Sequence, residues 1–208
     1  MIAATLHSIA RQLAGSVVRG PRTVSASVAE QLKRRHCVVG AGSILLPPSR
    51  VHNFLRDRKS IAIGLNARIA GELLIFAHGG QIQIGDDCFV GEGSRIWSAH
   101  SITIGNRVLI SHAVNIHDTN SHSTSAASRH AHMVAIRSTG HPETLSDVAG
   151  SPVVVEDDVW IGFNAVVLKG VRIGQGSIIG AAALISKNVA PFSLMVGNPA
   201  RCVGTSRP

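Results

Sequence analysis

Apolar residues recur at a spacing of six along the second half of the chain. The spacing runs through Val155, Ile161, Val167, Ile173, Ile179 and Ile185. It fits neither the 3.6-residue repeat of a helix nor the two-residue alternation of a strand. A repeat of six residues predicts one short strand and one turn, used again and again.

The same spacing occurs in the first half of the chain and then stops. It begins near residue 37 and becomes regular in two runs: Ile84, Val90 and Ile96, then Ile104, Ile110 and Ile116. Residues 123–151 break the pattern, because they are polar, rich in serine and histidine, and without a period. We therefore predict that one long loop, 123–151, is inserted between two blocks of repeats.

Three such repeats make one triangular coil of about eighteen residues, and successive coils stack through parallel strand ladders about 4.8 Å apart. Each coil adds a layer of isoleucine and valine to a continuous core, and no coil can bury its apolar face alone. Aromatic residues are only 3% of the chain, which fits such thin, repetitive layers. The prediction is an all-β parallel solenoid.

The chain outside the repeats divides into two short segments. Residues 1–35 are predicted to be helical, with an apolar stripe at Leu6, Ile9, Leu13 and Val17, and residues 205–208 form a C-terminal tail. The repeat domain spans 36–204. Because basic residues flank the stripe, the segment either packs on the main body or makes a peripheral contact with an anionic membrane surface.

Charge and cysteine content narrow the partners and the compartment. The net charge of +8 favours anionic partners. Nucleic acid is not expected, since the only dense basic run is Lys33-Arg34-Arg35 and no aromatic residues accompany it. Three cysteines without a CxxC pair, and the lack of an apolar run long enough for a signal peptide or membrane span, predict a cytoplasmic protein. We expect all three cysteines to be small buried apolar residues.

The repeats, with "VNIHDTNSH", "DDVWIGFNAVVLKGVRIG", "LISKNVAP" and "GNPAR", resemble the hexapeptide-repeat acyltransferases over residues 37–204. Within that family the match is to sugar O-acetyltransferases, such as the galactoside and maltose enzymes and those that modify surface polysaccharides. The resemblance implies a left-handed parallel β-helix and a homotrimer. It also implies transfer of an acetyl group from acetyl-CoA to a hydroxyl of a sugar or polysaccharide precursor, with no metal.

A hydroxyl is a weak nucleophile at neutral pH, and a histidine can remove its proton during attack. The resemblance places this base where a coil gives way to the loop, and His122 is the leading candidate there. Asp118 is assigned to the catalytic set with it. His141, in "STGHPE", is the second candidate but lies deep in the loop. His130 and His132 are taken as ordinary surface histidines.

The resemblance also assigns binding residues. Those for acetyl-CoA are Trp160, Gly162, Phe163, Ala181, Ala182, Ser186, Lys187 and Arg201. Lys187 and Arg201 supply the positive charge that the phosphates of CoA require. Asn120 and Trp97 are assigned to the acceptor, and loop 123–151 to acceptor specificity.

Two other functions remain open. The γ-class carbonic anhydrases use the same solenoid and hold zinc with three histidines, for which His117 and His122 have a matching spacing and His78 lies upstream. The long loop after His122 and the CoA-type tail argue against that alternative. A non-catalytic trimeric scaffold is the third hypothesis.

Overall fold

The computed structural model describes residues 24–145 and 147–207, and its body is a triangular prism whose faces are three mainly parallel sheets. Face A contains β1 (Val38–Val39), β4 (Ile61–Ile63), β7 (Ile82–Ile84), β10 (Ile102–Ile104), β13 (Val153–Val155) and β16 (Arg172–Ile173). Face B contains β2 (Ile44–Leu45), β5 (Arg68–Ile69), β8 (Phe89–Val90), β11 (Leu109–Ile110), β14 (Trp160–Ile161), β17 (Ile178–Ile179), β19 (Ser193–Val196) and β20 (Arg201–Thr205). Face C contains β3 (Arg50–Asn53), β6 (Glu72–Ile75), β9 (Arg95–Ser98), β12 (Asn115–His117), β15 (Val166–Val167) and β18 (Leu184–Ile185).

The strand register stacks the hexad positions in columns inside the prism. Ile84 pairs with Ile104, which pairs with Val155 across the point where the insertion leaves the coils. All three side chains are buried, like the other hexad positions of the core. Because every layer covers the next one, the apolar residues leave water along the whole axis. The prediction of a left-handed parallel β-helix is confirmed.

The corners of the prism are held by side chains that bond to the next coil. The backbone N–H of Asp86 donates to Asn106 Oδ1 over 2.9 Å, and the N–H of Asn106 donates to Asp157 Oδ1 over 2.9 Å. At another corner Gly162 lies so close to the next coil that a Cβ would sit 2.8 Å from Ala181 N. Only glycine fits that close backbone approach.

Helix α1 (Val24–Arg34) lies against the first coil. Lys33 Nζ donates to the carbonyl oxygens of Leu46 and Pro47 at 2.9 and 3.0 Å, and Arg34 donates to that of Ser43 at 2.7 Å. Two members of the basic run therefore bind the solenoid backbone. The predicted helical segment 1–35 is confirmed as helix over 24–34. The apolar stripe proposed for it lies outside the described residues.

The segment 123–151 is not simply a loop, as the sequence analysis predicts, because it contains helix α2 (Ala126–Thr139). Ser125 is its N-cap and accepts a bond from Ser128 N, and Gly140 follows its last residue with φ 94°. These are ordinary start and stop signals of a helix. The absence of an apolar stripe concealed them, since the side chains of α2 are not buried.

The C-terminal segment is more regular than expected. Strands β19 and β20 form an antiparallel pair, and β20 reaches Thr205, one residue into the predicted tail. Cys37 and Cys88 are buried as predicted, and burial raises the pKa of the Cys37 thiol to about 11. The expectation for Cys202 is wrong, because it lies exposed on β20. Within the described ranges, no helix has the length and apolar character needed to cross a membrane.

Candidate functional site

The insertion leaves face C after β12 and returns beside its own starting point. The N–H of Asn120 donates to the carbonyl of Ala149 over 2.9 Å, and the N–H of Ser151 donates to that of Asp118 over 2.8 Å. Between these bonds Thr119 and Gly150 form an antiparallel bridge. The insertion is thus tied at its neck to the coil, which gives the residues just after the neck a defined position.

Asp118 is fully buried at this neck. Its carboxylate accepts three hydrogen bonds, from Ser98 Oγ at 2.6 Å, Ala99 N at 2.8 Å and His100 N at 2.9 Å. His122 is not among these partners. The geometry therefore supports a structural role for Asp118, which ties the insertion to the preceding coil, rather than the direct catalytic role assigned from the sequence.

His122 stands exposed on the first turn of the insertion. Ser121, before it, has φ 62° in the left-handed region, and its N–H donates to Thr119 Oγ1 over 3.1 Å. Ser123, after it, is buried and donates to Asp147 Oδ2 over 2.5 Å. The surrounding bonds hold His122 between two fixed neighbours.

His132 of α2 packs against His122, a contact that the sequence analysis missed. Their Nδ1 atoms are 3.3 Å apart and their ring centroids 5.2 Å apart. Partial burial, followed by the charges of His122 and His141, lowers the pKa of His132 below its ordinary value. The description of His132 as an ordinary surface histidine is therefore wrong. This contact could be predicted only if helix α2 were first recognised from its N-cap Ser125 and from Gly140 after its last residue.

The other two loop histidines differ in their surroundings. His141 is exposed and its ring centroid lies 6.3 Å from that of Phe54, which follows β3 of the first coil. His130 is exposed on α2, as expected. His122, His132 and His141 of the insertion therefore lie close enough together for their charges to interact. The spacing of these histidines along the chain does not predict that proximity.

Trp97, assigned to the acceptor, belongs to a row of neighbouring rings on the outer side of face C. Its ring lies 5.0 Å from that of His117 at 21°, and 6.4 Å from that of Phe76 at 85°. Phe76 in turn stacks on His78 at 5.3 Å. Trp97 Nε1 and His117 Nε2 are buried without a hydrogen-bond partner among the described residues. Burial is the main cause of the lowered pKa of His117.

A cleft of about 560 Å³ opens beside the neck on face C. It is lined by Asn115, His117, Thr119, Asn120, Ser121, Val166, Val167, Leu168, Lys169 and Ser186. Asn120, assigned to the acceptor, is therefore in the cleft, and His122 follows the lining residue Ser121. The cleft combines apolar strand residues with polar groups from the neck, as ligand sites commonly do.

A second cleft of about 350 Å³ continues toward the C-terminal strands. It is lined by Ile185, Ser186, Lys187, Asn188, Met195, Pro199, Ala200, Arg201 and Cys202. Ser186 lines both clefts, so they adjoin there, and the pair of clefts from Asn120 to Arg201 is called the track below. Three residues assigned to acetyl-CoA, Ser186, Lys187 and Arg201, are brought together here.

The remaining residues assigned to acetyl-CoA line neither cleft. They are Trp160, Gly162, Phe163, Ala181 and Ala182, and they lie at the corner where face B turns into face C. Trp160 Nε1 donates to Ser111 Oγ over 3.2 Å, and Ala182 N donates to the carbonyl of Phe163. Within one chain, the structure thus separates the assigned set into two corners of the prism.

The zinc alternative finds no support within a single chain. Among the described residues, no group of three or more histidine, cysteine, aspartate or glutamate side chains is placed to hold a metal ion. His117 instead stacks on Trp97, and His122 contacts His132. His78, His117 and His122 are therefore not assembled as a three-histidine site in this chain.

Comparison with known proteins gives the same fold. Residues 152–187 match the family described as bacterial transferase hexapeptide (six repeats), and residues 81–112 match the hexapeptide repeat of succinyl-transferase. The solved structure of AntD, an N-acyltransferase from Bacillus cereus, covers 86% of this chain and 88% of its own, with a TM-score of 0.67 and 17% identity. The hexapeptide-repeat acetyltransferase VCA0836 from Vibrio cholerae covers 100% and 94%, with a TM-score of 0.57 and 24% identity.

Two curated relatives extend this comparison. An acetyltransferase of Schizosaccharomyces pombe is 31% identical over 128 residues, and the match covers 62% of this chain and 55% of the relative. The tetrahydropyridine-dicarboxylate N-acetyltransferase of Staphylococcus aureus is 46% identical over 55 residues, 26% of this chain and 23% of the relative. The chain thus spans about half the length of the first relative and less of the second. The two family models and the solved structures therefore show hexapeptide repeats and the parallel β-helix fold in this chain, which it shares with these acyltransferases.

Proposed function

We propose that this protein is an acetyltransferase that moves the acetyl group of acetyl-CoA to a hydroxyl of a sugar or polysaccharide precursor. The observation that carries the proposal is the position of His122. It is an exposed histidine next to Ser121 of the large cleft, and Lys187 and Arg201 line the adjoining cleft. A base beside the large cleft would lie near the thioester of acetyl-CoA, and the two cations would lie near its phosphates.

The track suits the shape and charge of the donor. The phosphates of CoA require Lys or Arg, which Lys187 and Arg201 provide, and the pantetheine arm is an extended amide chain that can follow exposed strand edges and turns. Ser186 links the two clefts and is exposed. Two related structures support the donor, since AntD was solved with coenzyme A and the Vibrio enzyme with acetyl coenzyme A.

The proposed reaction uses His122 as the general base. Its imidazole removes the proton from the acceptor hydroxyl while the oxygen attacks the thioester carbonyl carbon, which forms a C–O bond. The C–S bond then breaks, and the thiolate of CoA takes the proton that His122 held. The products are an acetyl ester and CoA, and His122 returns to its neutral state.

The acceptor is proposed to be a sugar. An amino group in place of the hydroxyl as the nucleophile is the second candidate. AntD was solved with a dTDP-linked 4-amino sugar, and the staphylococcal relative is also an N-acetyltransferase. Those names favour an amino group as the alternative nucleophile. The polar neck of the large cleft, with Asn120 and Ser121, would face either acceptor.

We also propose that the protein acts as a homotrimer. An apolar row crosses face B on its outer side, in register from Phe89 through Leu109, Trp160 and Ile178 to Leu194. Leu109 and Trp160 expose 44% and 46% of their surface, so an apolar face stays open in one chain. Burying such a face in a closed cyclic assembly is the usual solution.

The test is an acceptor screen with acetyl-CoA. Release of the CoA thiol is followed with a methyl galactoside, maltose, glucosamine and a dTDP-linked amino sugar, and the products are treated with mild alkali. We expect release with at least one sugar and a product whose acetyl group is lost in alkali, as an ester is. An alkali-stable product would favour the N-acyl alternative. No release with any acceptor, together with no calorimetric binding of acetyl-CoA, would contradict the proposal.

A further inference from the structure

We propose that His132, on the helix of the insertion, positions His122 by accepting a hydrogen bond from its Nδ1–H and so leaves Nε2 of His122 free to take a proton. This inference rests on the proposed role of His122 as general base. It assigns His132 a positioning function, because His132 acts on the acceptor only through His122.

The short distance between the two Nδ1 atoms leaves room for a hydrogen on only one of them. Their Nδ1 atoms are 3.3 Å apart, so one nitrogen must donate and the other must accept. If His132 donates, His122 carries its own proton on Nε2 and cannot act as a base there. If His122 donates, its Nε2 is unprotonated. Only this second arrangement persists after His122 gains a proton, because an imidazolium carries hydrogen on both nitrogens.

The surroundings of His132 favour its role as an acceptor. An imidazole accepts a hydrogen bond only while it is neutral, and partial burial together with the charges of His122 and His141 lowers the pKa of His132. Nε2 of His132 is buried and has no hydrogen-bond partner among the described residues. In the proposed arrangement this Nε2 carries the one hydrogen of the neutral His132 ring.

The insertion fixes the helix that carries His132 relative to His122. The Arg129 guanidinium donates to the carbonyl oxygens of Ser123 and Thr124 at 2.9 and 3.0 Å. Ser123 Oγ also accepts from Ser125 N, the N-cap residue of α2. One turn of α2 is therefore bonded to the two residues that follow His122, and His132 lies one turn further along.

The first test reads the tautomer of His122 directly from the nitrogen chemical shifts of its labelled imidazole, in the full-length protein at pH 7.5. We expect an unprotonated Nε2 in the wild type and in His130→Leu, which alters an exposed histidine of the same helix. We expect a protonated Nε2 in His132→Leu, because free imidazole side chains prefer that tautomer. A protonated Nε2 in the wild type, or an unchanged tautomer in His132→Leu, would overturn the inference.

The second test is kinetic and uses the best acceptor of the screen above. We expect His132→Leu to lower kcat about 10- to 100-fold with little change in the KM for acetyl-CoA. His132→Asn, whose amide can occupy the Nδ1 position, should recover most of the activity, and His132→Gln, whose amide reaches the Nε2 position, should not. Should His132→Leu fail to fold, the comparison of Asn with Gln decides the question, and equal activity of those two would count against the inference.

The two tests separate this inference from the proposed function. If the wild type transfers no acetyl group, the proposed function fails while the tautomer measurement still stands on its own. If the wild type is active but His132→Leu is as active as His130→Leu, the proposed function survives and the role of His132 is wrong.

Discussion

The coil that ends at His117 and the insertion that follows it are built on opposite principles. In the coil every sixth residue is buried between aliphatic residues of the adjacent coils, and Ile104, Ile110 and Ile116 are at most 2% exposed. In the insertion, helix α2 has no buried side chain, and its order comes from hydrogen bonds at the neck and at Ser123. Stability therefore resides in the coils, while His122 and His132 occupy a segment that the coils only anchor.

The difference in stability between the coil and the insertion is tested most strongly by truncating one large apolar side chain in each. Ile116→Ala leaves a cavity in a fully buried layer, so we expect the free energy of unfolding to fall by about 2–5 kcal/mol. Met133→Ala, on an exposed position of α2, should change it by less than about 0.5 kcal/mol. Urea unfolding followed by circular dichroism measures both, and equal losses would contradict the division.

The neck that joins the two regions is tested at Asp118. Asp118→Ala leaves Ser98 Oγ and the N–H groups of Ala99 and His100 without their acceptor, so we expect a loss of roughly 3 kcal/mol in unfolding free energy. Glu143→Ala removes an exposed carboxylate of the insertion and serves as the matched control, with a much smaller loss. Similar urea midpoints for the two variants would show that the neck does not depend on Asp118.

The donor end of the track lies wholly on coil and C-terminal residues, and it can be weakened without touching the insertion. Replacing both Lys187 and Arg201 with alanine should raise the Kd for acetyl-CoA by about 10-fold or more, because two phosphate partners are lost. Lys59→Ala/Arg137→Ala, which removes two exposed positive charges elsewhere, is the control for net charge. Calorimetric titration gives both constants, and an unchanged Kd in the double variant would exclude this cleft as the donor site.

Acidification should weaken the fold through histidines that face C holds in the neutral form. Burial is the largest cause of the lowered pKa of His78 and His117, so the unfolded chain binds more protons than the folded one below their ordinary value of 6.5. Stability is fully present above that value and is lost as the pH falls through the lowered folded pKa. We expect a lower urea midpoint at pH 5.5 than at pH 7.5, and a smaller drop in His117→Gln than in the exposed-site control His130→Gln.

The sequence predicted the periodic region well and the insertion poorly, for a physical reason. A period of six reports burial directly, so Val155, Ile161 and the other hexad positions identified both fold and core. The contacts of the insertion depend on how the chain turns back on itself, and no local pattern encodes the meeting of His122 with His132 or of His141 with Phe54. Asp118 was recognised as important, but its burial against Ser98 came from the stacking of two coils.

The assigned donor site shows the same limit. Ser186, Lys187 and Arg201 lie close together because β18 and the C-terminal strands are neighbours in space. Trp160 and Phe163 lie on another corner, although a linear motif contains them. A linear motif identifies candidate binding residues. Their positions relative to one another follow from the stacking of the coils.

The most direct test of the account compares His122→Ala with the wild type in two measurements on the same samples, the rate of acetyl transfer and the Kd for acetyl-CoA. His122 is exposed and lines no core layer, so the variant should fold and bind acetyl-CoA as the wild type does. We predict that its transfer rate falls about 10²- to 10⁴-fold, the usual contribution of a general base. A variant that transfers acetyl groups as fast as the wild type would contradict the account.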